Sequence, residues 1–314
     1  MSRYLIAFPD DSVRPVLDAI DQATTSLRIK MFVFSDSRIL GSVIKAHHRG
    51  VQVRIMLNPT RRNGQTENQQ TRKLLENAGI EVIDSTPEFE VTHEKSMVVD
   101  EKSAWIMSLN WETENLTETR DYAVVTSHAH EVREIVECFE ADWARKPFHP
   151  GDHSHMIWCV GNARQRLSQF IDEAKHSLWV QNERYQDPLI IEHLVRANRR
   201  GVKVHIMARP AHTLKEEKLI EGVAGLRILD DVGVKVHKVH GLKLHAKLMY
   251  ADGARAIVGS INLAPGSFNS RRELAIEVRD QDVVDRIHKL VHHDWKNSRA
   301  MDLSDEGLKP AVQR

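Results

Sequence analysis

The sequence predicts an α/β protein made of two similar halves, each a mixed sheet covered by helices, which pack together as an intramolecular pseudo-dimer. Two observations carry this prediction. Segments with helical and strand patterns alternate along the chain, and the pattern of the first half returns in the second. The repeat is far longer than a solenoid unit, so we expect two similar domains rather than a stacked array.

The second half repeats the first at a nearly constant distance. Arg49–Val53 reads Arg-Gly-Val-Gln-Val, and Arg200–Val204 reads Arg-Gly-Val-Lys-Val, 151 residues later. Asp142-Trp143 returns as Asp294-Trp295 after 152 residues, so one inserted residue accounts for the drift. Halves of this size fit ordinary domains. The expected boundaries are residues 1–146 for the first half, 147–156 for a linker that contains two prolines and a glycine, and 157–314 for the second half.

Within each half, apolar residues recur at helical spacing in two segments and form short continuous runs in two others. In the first half, this pattern predicts a helix over 13–23, a strand over 27–34, a helix over 39–48 and a strand over 51–57. In the second half, it predicts the same elements over 167–174, 178–181, 189–198 and 202–207. Gly50 stands where a helix C-cap glycine is expected. This alternation is typical of α/β layers in which helices cover a sheet.

The composition limits the partners and the location of the chain. Lysine plus arginine number 44, as do aspartate plus glutamate, so no global basic field attracts nucleic acid. Local arginine pairs exist at 61–62, 199–200 and 271–272, and a solvated surface also explains them. No run approaches the roughly 18 apolar residues of a membrane span, and Met1–Asp11 lacks the apolar core of a signal peptide. We therefore expect a soluble, cytoplasmic protein.

The pattern His-x-Lys-x4-Asp occurs twice, at His93-Lys95-Asp100 and at His245-Lys247-Asp252. Each copy continues in the same order to a serine, an asparagine and an acidic residue that follows an arginine. These further positions are Ser108, Asn110 and Asp121 in the first copy and Ser260, Asn262 and Glu273 in the second. A single His-x-Lys pair is a weak motif, but chance does not explain two long copies in the same order.

The motif spacing brings side chains together if the segments are strands. Residues i and i+2 of a strand point to the same face. His245 and Lys247 would then project together from the apolar stretch 244–250. The same holds for His93 and Lys95 in the first half.

A hairpin is expected to follow the second motif. Asp252-Gly253 is a hairpin-turn signal, and the next strand is predicted over 256–262. Ser260 and Asn262 share a face of that strand and would return beside the histidine and lysine. They would add neutral donors to a bound phosphate, as would Ser108 and Asn110 in the first half.

Two histidines and two lysines suit the cleavage of a phosphodiester without a metal or an organic cofactor. Negative charge builds on the phosphate oxygens during attack, and two fixed ammonium groups stabilise that state. A neutral histidine can attack phosphorus to give a phosphohistidine, and a protonated histidine can supply a proton to the leaving oxygen. A carboxylate bonded to the other ring nitrogen would fix each histidine tautomer, and Asp121 and Glu273 are the candidates.

These motifs resemble those of the phospholipase D superfamily, which includes bacterial phospholipase D and cardiolipin synthase-like proteins. The similarity runs from Val13 to Trp295. It implies a metal-independent phosphodiesterase or phosphatidyltransferase with one site between the halves. The implied roles are nucleophile for His93, general acid and then base for His245, phosphate ligands for Lys95, Lys247, Asn110 and Asn262, framework residues for Asp100 and Asp252, and histidine support for Asp121 and Glu273.

The first motif departs from the family pattern at one position, whereas the second matches it throughout. Met107 stands beside Ser108, where the family usually has glycine. We expect this change to narrow or reshape the loop beside the phosphate.

Three functions are compatible with such a site. The first is cleavage of glycerophospholipids, or transfer of their headgroup, with peripheral contact to a membrane. The second is a nuclease of the same superfamily, which the balanced charge makes the less favoured alternative. The third is a non-catalytic module that binds phosphate. The sequence leaves the oligomeric state open.

A metal site near the linker is a further alternative. His149, His153 and His155 cluster there, but no cysteine or carboxylate completes a ligand set. We therefore expect a polar linker and no metal.

Overall fold

The structure is a computed structural model that describes residues 2–59, 68–151, 155–210 and 216–304. Arg61, Arg62 and His153, noted above, lie outside the described residues. The strands of the first half are β1 (Arg3–Phe8), β2 (Ser26–Met31), β3 (Gln52–Leu57), β4 (Glu81–Asp84), β5 (Val91–Thr92), β6 (Ser96–Val99), β7 (Ser103–Met107) and β8 (Thr119–Thr126). Its helices are α1 (Arg14–Asp21), α2 (Ser37–His48), α3 (Gln69–Asn77), α4 (Thr113–Thr117) and α5 (Ala129–Trp143).

The second half follows the same order. Its strands are β9 (Met156–Cys159), β10 (Ser177–Asn182), β11 (Lys203–Met207), β12 (Lys235–Val239), β13 (Lys243–Leu244), β14 (Lys247–Ala251), β15 (Arg255–Gly259), β16 (Arg271–Val278) and β17 (Ser298–Ala300). Its helices are α6 (Ala163–Asp172), α7 (Pro188–Arg199), α8 (Glu216–Asp231), α9 (Pro265–Ser270) and α10 (Gln281–Lys296). The elements predicted from apolar periodicity are confirmed, with ends that differ by a few residues.

Each half forms a mixed sheet, as predicted. The first sheet has the strand order β1-β8-β7-β6-β2-β3-β4, in which β2, β3 and β4 are parallel and the other neighbours antiparallel. The second has the order β17-β12-β11-β10-β14-β15-β16, and β9 pairs with β16 as β1 pairs with β8. The predicted fold class is confirmed.

Two short strands cross between the halves. β5, from the first half, pairs with β16 of the second sheet, with Thr92 opposite Arg272. β13, from the second half, pairs with β8 of the first sheet, with Leu244 opposite Arg120. Each crossing strand ends immediately before a motif histidine, so each histidine is carried to the sheet of the other half.

The apolar core has three parts. One cluster fills each half, and a third combines buried residues of both halves. In this shared cluster, Ile106 and Val124 of the first half pack with Trp158, Tyr250 and Leu274 of the second. Burial of apolar surface is the main favourable term in folding, so this cluster holds the pseudo-dimer together.

Local signals set the ends of the helices beside the site. Asp36 caps α2, and its side chain accepts hydrogen bonds from the backbone N–H groups of Arg38 and Ile39. Asp187 caps α7 in the same way through the N–H of Ile190. Gly50 follows α2 with φ of +93°, which confirms the predicted C-cap glycine.

The apolar stretch 244–250 does not form one continuous strand, because β13 ends at Leu244 and β14 begins at Lys247. The N–H of His245 donates to the carbonyl of Arg120 in the first sheet (3.3 Å), whereas Lys247 pairs with Asn182 in the second. The chain therefore changes sheets between these residues. The first motif breaks in the same way between β5 and β6.

The strand predicted over 256–262 also ends early, at Gly259. A Cβ atom at Gly259 would lie 2.3 Å from the carbonyl oxygen of Leu274, so the two strands approach too closely for a side chain here. Ser260 and Asn262 follow on an irregular segment that leads into α9.

Candidate active site

The two motif histidines meet carboxylates of the opposite halves. Nδ1 of His93 lies 2.9 Å from Oε2 of Glu273. Nδ1 of His245 lies 3.0 and 3.1 Å from the two carboxylate oxygens of Asp121. Both carboxylates are fully buried. Because these contacts leave only Nε2 of each histidine to face a substrate, the ring orientations suit phosphoryl chemistry.

The crossing strands explain this exchange. The backbone N–H groups of His93 and Glu94 both donate to the carbonyl of Arg272 at 2.9 Å, so His93 lies beside the next residue of β16, Glu273. On the other side, the N–H of His245 donates to the carbonyl of Arg120, which precedes Asp121. The backbone carbonyl of each arginine therefore holds a motif histidine against the carboxylate of the residue that follows that arginine in the sequence.

The same arginines tie the two halves together with their side chains. The guanidinium of Arg272 pairs with Asp142 of α5 (2.7 Å), and that of Arg120 pairs with Asp294 of α10 (2.8 Å). All four side chains are buried. Both aspartates belong to the repeated pairs Asp142-Trp143 and Asp294-Trp295. The repeat did not predict that they form ion pairs with these arginines.

The motif lysines lie beside the histidines. Nζ of Lys95 donates to the carbonyl of His93 (2.6 Å), and Nζ of Lys247 donates to that of His245 (2.5 Å). Nζ of Lys247 also lies 3.1 Å from Nε2 of His245. Burial and the charge of Lys247 hold the pKa of Lys95 well below its ordinary value, so the two lysines share one electrostatic environment.

The two histidines differ in their surroundings. Burial, followed by the charges of Lys95, Lys247 and Arg271, holds the pKa of His93 well below its ordinary value. The ring of His93 also contacts the ring of Phe32, edge on, at a centroid distance of 4.8 Å. His93 is therefore neutral at pH 7.

The two supporting carboxylates also differ. Burial raises the pKa of Glu273, which lies against the neutral His93. Burial acts in the same direction on Asp121, but the charges of His245 and Lys247 outweigh it and lower the pKa of Asp121. The carboxylate beside His245 is therefore the better stabiliser of an imidazolium.

The motif serines and asparagines support the site from several sides. The hydroxyl of Ser108 donates to Asp121 (2.5 Å), and that of Ser260 donates to the carbonyl of Leu274 (3.3 Å). Phosphate contact by these serines stays a prediction. The amide Nδ2 of Asn110 donates to Glu112 (2.8 Å) and that of Asn262 to Glu183 (3.0 Å). An amide has two N–H donors, so each asparagine keeps a second donor for a ligand.

The motif aspartates lie at the opposite end of each hairpin from the histidines. Asp100 and Glu101 have φ of +54° each, and Asp252 and Gly253 have φ of +55° and +71°, as a type I′ turn requires. The carboxylate of Asp252 accepts from backbone N–H groups of β10 and the loop before it, at 2.7 to 2.9 Å. Asp100 makes the equivalent contacts with Thr24–Ser26.

Met107 does not face the site. Its side chain is fully buried in the apolar core of the first half, and its backbone N–H donates to the carbonyl of Lys95. The expectation that this side chain narrows the phosphate loop is therefore not met by the geometry.

Sequence reasoning missed Glu183. This residue directly follows β10, and its Oε1 lies 3.5 Å from Nζ of Lys247. The sequence offered one signal for it, because a charged residue stands at the end of an apolar strand. Glu183 also lies 151 residues after Phe32, which is the distance of the repeat.

One group of acidic and thiol ligands lies close enough to hold a metal within the described ranges, namely Glu94, Cys138 and Asp142. The ammonium of Lys30 already occupies this position, at 2.9 Å from Glu94 and 2.7 Å from Asp142. A lysine cation thus takes the place that a metal would need. His149 and His155 belong to no such group in the part of the chain that the structure describes.

Two related mixed sheets, with two histidine–lysine pairs meeting between them, define a phospholipase D-like protein. The family model described as "Cardiolipin synthase, PLD-like domain" matches residues 16–143 and again residues 167–295. The chain belongs to this family, which confirms the resemblance inferred from the motifs.

Curated relatives and solved structures extend this picture. Polyphosphate kinase 1 of Chlorobaculum tepidum is 25% identical over 325 aligned residues, which cover 96% of this chain and 44% of that protein. Polyphosphate kinase of Vibrio parahaemolyticus is 24% identical over 287 residues, 86% of this chain and 40% of that protein. The chain therefore spans less than half the length of these relatives.

Two solved structures share the fold. Phosphatidylserine synthase of Haemophilus influenzae aligns with a TM-score of 0.77 at 10% identity, over 95% of this chain and 87% of that one. Polyphosphate kinase of Porphyromonas gingivalis aligns with a TM-score of 0.74 at 15% identity, over 96% of this chain and 48% of that one. Among the described residues, no helix has both the length and the apolar character to cross a membrane.

Proposed function

We propose that the protein cleaves phosphodiesters without a metal, through a phosphohistidine formed on His93. One observation carries this proposal: the two histidines meet at one site, each oriented through Nδ1 by a carboxylate of the other half. That arrangement leaves Nε2 of both rings for phosphoryl transfer, one as nucleophile and one as proton donor.

In the first step, Nε2 of His93 attacks phosphorus, and the bond from phosphorus to the leaving oxygen breaks. The low pKa of His93 keeps the electron pair of Nε2 available. His245, whose Nδ1 lies against the ionised Asp121, gives a proton from Nε2 to the leaving oxygen. This division of roles follows from the unequal surroundings of the two rings.

In the second step, His245 accepts a proton from water or an alcohol, whose oxygen attacks phosphorus. The bond from phosphorus to Nε2 of His93 breaks, and the nucleophile is restored. Lys95 and Lys247 hold the phosphate oxygens, and Asn110 and Asn262 add neutral donors. Water as acceptor gives hydrolysis, and an alcohol gives headgroup transfer.

Glycerophospholipids are the substrates that we propose first. The description of the family model names cardiolipin synthase, and the fold resembles that of a phosphatidylserine synthase along most of that chain. A second candidate is a chain of phosphoanhydrides, because the curated relatives noted above are named polyphosphate kinases. Both substrates suit a phosphohistidine.

The experiment incubates the protein with chelator and, separately, phospholipid vesicles, inorganic polyphosphate with nucleoside diphosphate, DNA, RNA and bis(p-nitrophenyl) phosphate. His93→Ala should abolish turnover of every substrate. His245→Ala should still accumulate acid-labile phosphoprotein from bis(p-nitrophenyl) phosphate, because nitrophenolate leaves without a proton. The preferred natural substrate then separates the lipid, polyphosphate and nuclease functions. Phosphate binding with no turnover and no phosphoprotein would instead indicate a binding module.

A further inference from the structure

The active site is symmetric in its motif residues but not in the residue beside each lysine. Phe32 directly follows β2, and Glu183 directly follows β10, 151 residues later. β2 pairs with β6, which begins directly after Lys95, and β10 pairs with β14, which begins at Lys247. The register is equivalent, because Lys30 is opposite Ser96 and Gln181 is opposite Leu248. An aromatic ring and a carboxylate therefore occupy equivalent positions in the two halves.

Glu183 is a partly buried, ionised carboxylate beside the motif lysine of the second half. Its Oε1 accepts from Nδ2 of Asn262 (3.0 Å) and lies 3.5 Å from Nζ of Lys247, and its Oε2 lies 3.9 Å from Arg209. Burial would raise its pKa, but the charges of Lys247, His245, Arg184 and Arg209 hold it well below the ordinary value. Glu183 therefore places a fixed negative charge beside Lys247, whereas its counterpart Phe32 places none beside Lys95.

This charge matters for the protonation of His245. Nζ of Lys247 lies 3.1 Å from Nε2 of His245, so a proton on Nε2 puts two cations side by side. Asp121 compensates the imidazolium at Nδ1, and Glu183 compensates the ammonium of Lys247. The charged groups that face His245 are Asp121, Lys247, Glu183 and Glu114.

The surroundings of His93 have the opposite character. Phe32 contacts the ring of His93, and its ring centroid lies 5.0 Å from Nζ of Lys95. At the equivalent position beside Lys247, the second half has the carboxylate of Glu183. The charged groups that face His93 are Lys95, Lys247, Arg271, Glu183 and Glu273. Three of these five are cationic, and an apolar ring adds no compensation, so a proton on His93 is disfavoured.

We propose that Glu183 is a positioning residue that makes His245 the proton donor, and that Phe32, at the equivalent position, leaves His93 as the nucleophile. This inference rests on the proposed phosphohistidine mechanism and explains how a repeated motif acquires two different roles. The asymmetry comes from residues outside the repeated motif.

The test variant is Glu183→Gln, which removes the charge but keeps an oxygen that can accept from Asn262. The imidazole proton of His245 should then be lost about one pH unit lower in an NMR titration of the substrate-free protein, since a nearby charge shifts such equilibria by about one to three units. The upper limb of the rate–pH profile for a phosphodiester with an alkyl leaving group should move down equally. Glu183→Asp should restore both midpoints.

The reciprocal variant is Phe32→Glu, at a half-buried position. It should raise the pH at which His93 loses its proton by about one unit. The acid limb of the rate–pH profile for phosphoprotein formation should move up by the same amount, whereas the rate at pH 7 should change little, because the pKa of His93 starts well below its ordinary value. Glu112→Gln is the matched control for the loss of a carboxylate that accepts from a motif asparagine. Glu112 accepts from Asn110 as Glu183 accepts from Asn262. It should leave the His245 midpoint in place.

A folded Glu183→Gln protein whose His245 titrates as in the parent would overturn the inference. A shift of the same size in Glu112→Gln would also overturn it, because the effect would then not be specific to Glu183. The NMR titration needs no turnover. A protein that shows the shift but cleaves nothing would therefore refute the proposed function while leaving the electrostatic role of Glu183 intact.

Discussion

Glu273, on β16 of the second half, lies 2.9 Å from Nδ1 of His93, which belongs to the first half. Asp121 and His245 form the reciprocal pair. Each half therefore supplies the histidine of one pair and the carboxylate of the other. Each motif histidine depends on a carboxylate of the other half, so the pseudo-dimer is the smallest unit that can hold the proposed site.

We predict that weakening the contact between Glu273 and His93 slows phosphoprotein formation without unfolding the protein. Glu273→Gln keeps the side-chain shape but weakens the hold on the His93 tautomer. We expect phosphoprotein formation to slow by about 10- to 100-fold, as for other residues that orient a functional histidine. Rapid-quench measurement of the phosphoprotein checks this rate, and circular dichroism checks the fold. A rate equal to that of the parent would show that Nδ1 needs no carboxylate.

The buried ion pairs between the halves predict a large effect on stability. Asp142 accepts from both Arg272 and Lys30, and all three side chains are buried. Asp142→Asn leaves two buried cations with less compensation, so we expect the free energy of unfolding to fall by about 3 to 5 kcal/mol. Denaturant titration measures this change.

The control for that prediction is an exposed pair. Arg14 and Asp18 form an ion pair with most of the arginine in solvent, and Asp18→Asn should change stability by less than about 1 kcal/mol. Equal effects of Asp142→Asn and Asp18→Asn would contradict the structural role given to the buried pairs.

Acid should destabilise the second half through His205. This ring stacks on Trp179 at a centroid distance of 3.8 Å, and burial lowers its pKa to about 4. The unfolded chain takes up this proton near pH 6.5, before the folded protein does. Stability is therefore complete above about pH 6.5 and decreases as the pH falls towards 4. Urea titrations at pH 7.5, 6 and 5 should show the decrease.

The variant His205→Phe keeps an aromatic ring on Trp179 and removes the proton site. It should reduce the dependence on pH without abolishing it, because burial also lowers the pKa of His237 and His292. An unchanged slope of stability against pH in His205→Phe would exclude His205 as a source of the effect.

Met107 should matter for stability and not for substrate access. Its side chain is fully buried in the core of the first half. Met107→Ala should cost about 2 to 5 kcal/mol of stability through the cavity that it leaves. At a temperature where the variant is folded, we expect KM to stay within about twofold of the parent value, since the contacts that bind the substrate are unchanged. A large fall in KM would show that the side chain obstructs the site.

Several features of this protein could be read from local and repeated patterns. Apolar periodicity predicted the helices and strands of the α/β halves, because it reflects which face of each element is buried. Asp252-Gly253 predicted a hairpin, because two successive residues with positive φ define its turn. The duplicated motif predicted the family and its candidate residues. The boundary at residues 147–156 stays a prediction.

The tertiary structure alone decided how these residues meet. Pairing of β5 with β16 joins Thr92 to Arg272, and no periodicity within either segment records a partner so distant along the chain. The exchange of carboxylates between the histidines follows from that pairing and from the pairing of β13 with β8. The second pairing also divides the stretch 244–250 between two sheets. The role of Glu183 likewise depends on its distance from Lys247. Local sequence records which residues are buried, whereas the pairing of distant strands decides which of them touch.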